Sequence, residues 1–178
     1  MRVRAVNHMN HARTAISGVT PLKKTLLALL LAGVVLLPAL AAAAEDVTTP
    51  IHQFIDGFNK GDTKSGYAAY ASGSISITDE IAPHVWTGPH AAHAWADAYA
   101  KHAQASGIAD GIVKYSDPTR TEIAGDLAYV IIPALYLYKE HGNPVQEEAQ
   151  MTFVLHREAQ GWKIRSWTWT GAKPHPAR

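Results

Sequence analysis

The residues of this chain that could do chemistry gather in one stretch, residues 77–90, which reads Ile-Thr-Asp-Glu-Ile-Ala-Pro-His-Val-Trp-Thr-Gly-Pro-His. Asp79 follows an apolar run, which would set its carboxylate at the mouth of a pocket as a candidate general base. His84 stands between Pro83 and Trp86, and an imidazole beside an indole could shuttle a proton near neutral pH. Trp86, with Trp95 and Tyr99 a little further on, offers aromatic walls of the kind that small-molecule pockets use around a few polar groups. Each residue also has a plainer reading. Asp79-Glu80 could be a solvated strand end, His84 a packing residue, and helically spaced aromatics are usually core.

His90 and His93 share a helix face and could be drawn with His84 as a metal triad, but no acidic ligand accompanies them and no zinc motif is present. Metal and cofactor are therefore not expected. His156, on the polar face of a later strand, joins the candidates if that face lines the pocket. A nucleophile elbow, a phosphate-binding glycine loop and a dinucleotide fingerprint are all missing from the sequence, which takes most of the support from nucleophilic and nucleotide-dependent mechanisms.

The elements that must position these groups follow from periodicity. Pro50 and the spacing of Val47, Ile51, Phe54, Ile55 and Phe58 predict a first helix that ends at Asn59-Lys60-Gly61. Asp62 or Thr63 caps a short second helix through Tyr67 and Tyr70. Residues 74–78 alternate as a strand, and Gly88-Pro89 opens a third helix bearing Ala92, Trp95, Ala96, Tyr99 and Ala103 on one face. From Ile112 the period becomes two, giving strands near 112–115, 120–123, 127–139, 145–157 and 162–170, the last three an antiparallel meander. On the middle strand of that meander, Ala149, Met151, Phe153 and Leu155 oppose Gln146, Glu148, Gln150, Thr152 and His156, the pattern of one buried face. The strand before it is apolar on both faces, which calls for helices on one side and a cavity lip or a partner subunit on the other. Pro133 within it predicts a bulge or sharp bend. Trp167 and Trp169 fall on the side opposite Ile164, where a dimer interface would cover them.

Ahead of this domain lies a targeting pattern: Lys23-Lys24, an uncharged Leu/Val/Ala-rich run broken by Pro38, then Ala42-Ala43-Ala44. It predicts a signal peptide over residues 1–44, cleaved after Ala44. A retained membrane anchor is the competing reading, since the run approaches the roughly 20 residues a spanning helix needs. Met1 and Met9 are alternative starts. The leader takes five basic residues and no acidic one, so residues 45–178 hold 11 basic and 15 acidic side chains, a formal charge of −4 against +1 for the whole chain. Nothing here predicts a nucleic-acid partner. The chain has no cysteine, hence no disulfide framework and no lipid-anchoring thiol. A periplasmic or secreted single domain, with no membrane association after cleavage, is the expectation.

The wording of several segments resembles a known group. Phe54-Ile-Asp-Gly-Phe-Asn-Lys-Gly-Asp62, Pro83-His-Val-Trp-Thr-Gly88, Phe153-Val-Leu-His-Arg157 and Gly161-Trp-Lys-Ile-Arg-Ser-Trp-Thr-Trp169 are similar to SnoaL-like and ketosteroid-isomerase-like members of the NTF2-like superfamily. The resemblance spans essentially residues 45–171. It implies an α+β cone, with N-terminal helices packed on a strongly curved antiparallel sheet, a pocket inside the cone, and often a homodimer through the sheet. The catalytic residues of ketosteroid isomerases do not carry over, because the first helix offers Phe54 and Phe58 where a tyrosine is wanted. The architecture hosts isomerases, cyclases, dehydratases and binding modules alike. Two functions stay open: a small, largely apolar ligand bound in the cone beside Asp79 and His84, walled by Trp86, Trp95, Tyr99, Phe54, Phe58 and Tyr67, with or without cofactor-free acid/base catalysis; or a non-enzymatic dimeric interaction module.

Overall fold

In the computed structural model, which describes residues 46–177, three helices lean on one large sheet. Helix α1 (Thr49–Lys60) starts at Thr48, whose backbone N–H and hydroxyl both donate to Asp46 Oδ1, at 2.9 and 2.8 Å. Pro50 sits in its first turn, and Gly61 closes it at φ 68°, a left-handed cap that glycine adopts freely. Helix α2 (Thr63–Ala68) follows at once, capped by Asp62, which accepts from the Ser65 N–H at 3.0 Å. The leader expected over residues 1–44 lies outside the described residues. Among those described, no helix is long and apolar enough to cross a membrane.

Strand β1 (Ile75–Thr78) forms a hairpin with β2 (Val85–Gly88), a strand the periodicity did not predict. Helix α3 (Ala91–Ala105) leads to β3 (Ile108–Tyr115) and β4 (Arg120–Ala124), then to the long β5 (Leu127–Glu140), β6 (Asn143–Glu158) and β7 (Gly161–Gly171), and a terminal β8 (His175–Pro176). The sheet order is β2-β1-β7-β6-β5-β3, with β4 also on β5 and β8 on β6. Every pairing is antiparallel except β1 with β7, which is parallel, so the sheet is mixed rather than purely antiparallel.

Two bulges bend the sheet, neither of them at Pro133. Pro133 pairs in register with Gln150, and its carbonyl accepts from Ser116, so its missing N–H faces the gap between β3 and β4, where no ladder bond is lost. The first bulge lies in β3 between Ala109 and Ile112, where Asp110 takes φ 56°. The second lies in β7 opposite the step from Val154 to Leu155, which places Arg165 as the extra residue. That residue reverses the side-chain parity beyond it. Ile164 and Trp167 therefore both face inward, and Trp167 is 2% exposed. The expectation that Trp167 and Trp169 lie on the outer face is overturned for this reason, since strict alternation fails across a bulge.

The core is built where α1 and α3 cover the sheet's inner face. Ile51, Phe54 and Ile55 of α1, Trp95 of α3, Val130 and Ile132 of β5, Phe153 and Leu155 of β6, and Ile164 and Trp167 of β7 are all buried together. The other face of β5 carries Tyr129, Ile131, Leu135 and Leu137, half-buried, with Leu127 exposed.

Candidate active site

Above that core the two layers part around a cavity of about 420 Å³. Asp79 reaches it from the end of β1. The loop that carries Asp79 is closed by backbone bonds, Asp79 N–H to His84 O at 3.0 Å and His84 N–H to Ile81 O at 2.8 Å, and contains a cis Ala82–Pro83 bond. From α3, the Trp95 indole N–H donates to Asp79 Oδ2 at 2.6 Å. Trp95 is itself held edge-on against Trp167, with ring centres 5.0 Å apart, and against Phe54 at 5.9 Å. The carboxylate is thus fixed by a buried ring that cannot swing away.

One helical turn beyond Trp95, Tyr99 places its hydroxyl against that of Tyr136 on β5. Gly111, beside the β3 bulge, makes this meeting possible: a β-carbon there would lie 2.6 Å from the Tyr136 oxygen and 3.1 Å from the Tyr99 oxygen. Burial pushes both phenols above their ordinary value of 10.0, so both stay neutral hydrogen-bond donors. Phe58 packs edge-on to Tyr99 at 5.2 Å, and Tyr138 stacks on Tyr136 at 4.7 Å.

A second acidic group adjoins the first. Glu80 lines the cavity and meets Glu147, which rises from the inner face of β6 and is 0% exposed. The Trp169 indole donates to Glu147 Oε1 at 2.7 Å. Partial burial, the Glu147 charge and hydrogen bond, and the Asp79 charge raise Glu80 from 4.5 to about 8. Glu147 is also raised, first by its own burial. The two carboxyls, set together beside Asp79, therefore both hold a proton more tightly than an ordinary carboxylate.

Of the residues singled out in the sequence, Asp79, Trp95, Tyr99, Phe54 and Phe58 line the cavity together. The remaining candidates lie elsewhere. His84 is exposed at φ 75°, its Nδ1 3.4 Å from the Asp79 carbonyl and outside the cavity lining. Trp86 is buried in the core behind the lining, and Tyr67, half-buried against the core but not in the lining, stacks on His93 at 3.9 Å. His156 lies half-buried on the outer face of β6, paired across to Leu127 and Lys163. Among the described residues no cluster of His, Asp or Glu has the makings of a metal site.

Sequence reasoning missed Tyr136, Tyr138, Trp167, Trp169 and Glu147. For Glu147 a signal existed: continuing the inward set Leu155, Phe153, Met151, Ala149 by one more step lands on it, an acid on an apolar face.

Compared by sequence, the chain matches no protein-family model and no curated protein. Compared by fold, it is similar to a hexachlorocyclohexane dehydrochlorinase from Novosphingobium barchaimii, with TM-score 0.62 and 17% identity over 74% of this chain and 87% of that one. It is also similar to a candidate scytalone dehydratase from Novosphingobium aromaticivorans (TM-score 0.56, 8% identity, 72% and 83% covered). A ketosteroid isomerase-like protein from Erwinia carotovora atroseptica gives TM-score 0.53 and 16% identity, with 72% and 95% covered. These likenesses establish the NTF2-like α+β fold that the sequence resemblance implied.

Proposed function

We propose that the chain is an exported NTF2-like protein that binds a small, largely apolar molecule in its cavity and moves a proton at carbon without a cofactor. Asp79 is the base. The Tyr99–Tyr136 hydroxyl pair stabilises the electron-rich atom that takes up the displaced electron pair, either an oxygen or a leaving group. The observation that carries this reading is the Asp79 carboxylate pinned by Trp95 in a cavity walled by aromatic rings, with the paired phenols in the same cavity. Proton abstraction by a positioned base contributes about 10²–10⁴-fold, and a preorganised donor about 10²–10³-fold. The fold's neighbours are named for an elimination, a dehydration and an isomerisation, reactions that share this step.

The test uses 5-nitrobenzisoxazole, whose ring opens to a coloured phenolate once a single carbon-bound proton is removed. Asp79→Asn is expected to lose about 10²-fold or more of that rate. A folded variant with unchanged turnover would overturn the assignment.

The apolar outer face of β5, with Leu127 51% and neighbouring Ile112 46% exposed, favours a homodimer through the sheet. A dimer without turnover would be the non-enzymatic interaction module. Export to the periplasm or beyond, with Glu45 as the new N-terminus, completes the proposal and is checked by intact mass of the secreted or periplasmic product.

A further inference from the structure

Glu147 is the buried titratable group that proton transfer by Asp79 leaves unused. It is fully buried, and its Oε2 has no hydrogen-bond partner among the described residues. It rises from the same face of β6 as Met151, which lines the cavity, and room is kept for it: a β-carbon at Gly171 would land on Oε1. Burying carboxylates is costly unless something cationic or hydrogen-bonding meets them. Here the buried Glu147 adjoins two acids of the cavity lining, the half-buried Asp79 and the exposed Glu80, and neither lysine nor arginine lines the cavity.

The walls point the same way. Trp95, Tyr99, Tyr136, Tyr138, Trp167 and Trp169 present aromatic rings around the space. The negative faces of such rings attract cations, and aromatic cages beside acids are how proteins hold quaternary ammonium groups. We propose that the cavity takes a lipophilic organic cation, a protonated amine or quaternary ammonium on an apolar body, with its positive centre beside Glu80 and Asp79 and its body against the rings. This names the ligand class of the same cavity. It rests on reading that cavity as the ligand site, not on Asp79 acting as a base.

The other ionisable groups around the acids are His102 of α3 and Glu140 of β5 in the lining, the three tyrosines, and Glu148, which points outward to His175. His102 is the one basic side chain among them, and it is exposed. A cation seated beside Glu80 favours its ionised form, so binding expels the proton held at neutral pH, and affinity rises from pH 6 to pH 8.

The test titrates the protein with benzyltrimethylammonium, its uncharged carbon isostere neopentylbenzene, and benzoate, read by tryptophan fluorescence. The ammonium is expected to bind about tenfold or more tighter than the isostere, with benzoate not binding. Calorimetry in two buffers of different ionisation enthalpy is expected to show proton release. Glu80→Gln should remove most of the ammonium's advantage and leave the isostere's affinity unchanged; Asp79→Asn serves the same purpose if the first variant misfolds. An isostere that binds as well as the ammonium, or an ammonium affinity indifferent to both variants, would overturn the proposal while leaving proton transfer by Asp79 standing. Failure of all three probes would overturn the cavity as a ligand site. Loss of the isostere-to-ammonium difference is read separately from 5-nitrobenzisoxazole turnover, so the two readings fail independently.

Discussion

Trp95 on α3 donates its indole N–H to Asp79 Oδ2 at 2.6 Å, so the candidate base at the end of β1 is aimed by a residue of the following helix. The bond joins the two layers of the fold at the cavity. Without it, a carboxylate on a loop would have several rotamers to choose from, and a base must hold one productive geometry. Trp95→Phe keeps a ring against Trp167 but removes the donor. It is expected to lower 5-nitrobenzisoxazole turnover about tenfold or more, and stability by about 1–3 kcal/mol through the lost hydrogen bond. Initial rates and urea unfolding measure the two effects separately.

The Tyr99–Tyr136 pair depends on the absence of a side chain at Gly111. Tyr136→Phe deletes one hydroxyl with little change in shape, and turnover is expected to fall by about 10²-fold with the melting temperature nearly unchanged. Gly111→Ala crowds both hydroxyls and is expected to cost stability as well, by about 1–3 kcal/mol, as overpacking does. A Tyr136→Phe variant with full turnover would remove the phenols from the mechanism.

Much of this architecture was legible in the sequence and some of the site was not, for identifiable reasons. The helical spacing of Phe54, Phe58, Trp95 and Tyr99 placed those residues on the faces they occupy, and the period-two meander placed Met151, Phe153 and Leu155 inside. Asp79 could be expected at a pocket mouth because it ends an apolar strand. Trp167 could not be placed, because the extra residue Arg165 shifts the parity of β7 and a bulge leaves no mark in composition. His84 drew notice from its neighbours in sequence, yet the turn that carries it points the ring to solvent at φ 75°. Tyr136 was hidden within a strand apolar on both faces, where alternation cannot say which face is which.

Stability should carry the imprint of the paired acids. The ordinary value of Glu80 is 4.5 and its folded value about 8, so the folded state retains a proton that the unfolded chain gives up. The resulting stabilisation is complete below about pH 4.5, declines as pH rises through the window, and is gone above about pH 8. Glu147 is shifted in the same direction. The melting temperature is therefore expected to fall between pH 5 and about pH 8 by this contribution, and Glu147→Gln should flatten the profile. A wild-type profile with no such decline, or one that the variant leaves unchanged, would contradict the pairing.

Gly171 offers a packing test of the same pair. A methyl group there would strike Glu147 Oε1 and approach the Trp169 indole nitrogen at 2.8 Å. Gly171→Ala is expected to destabilise the fold by about 1–3 kcal/mol. Most of that loss should return in the Gly171→Ala/Glu147→Ala double variant, because contacting residues couple in a double-mutant cycle. Denaturant unfolding of the four proteins reads the coupling directly.

The measurement that tests the central claim most directly is the rate of 5-nitrobenzisoxazole opening with hydrogen and with deuterium at the reacting carbon, for wild type and Asp79→Asn, in the presence of a chelator. The expected result is a primary isotope effect in the wild type, insensitive to the chelator, and loss of the catalysed rate in the variant. A catalysed rate that survives Asp79→Asn in a folded protein would contradict the account.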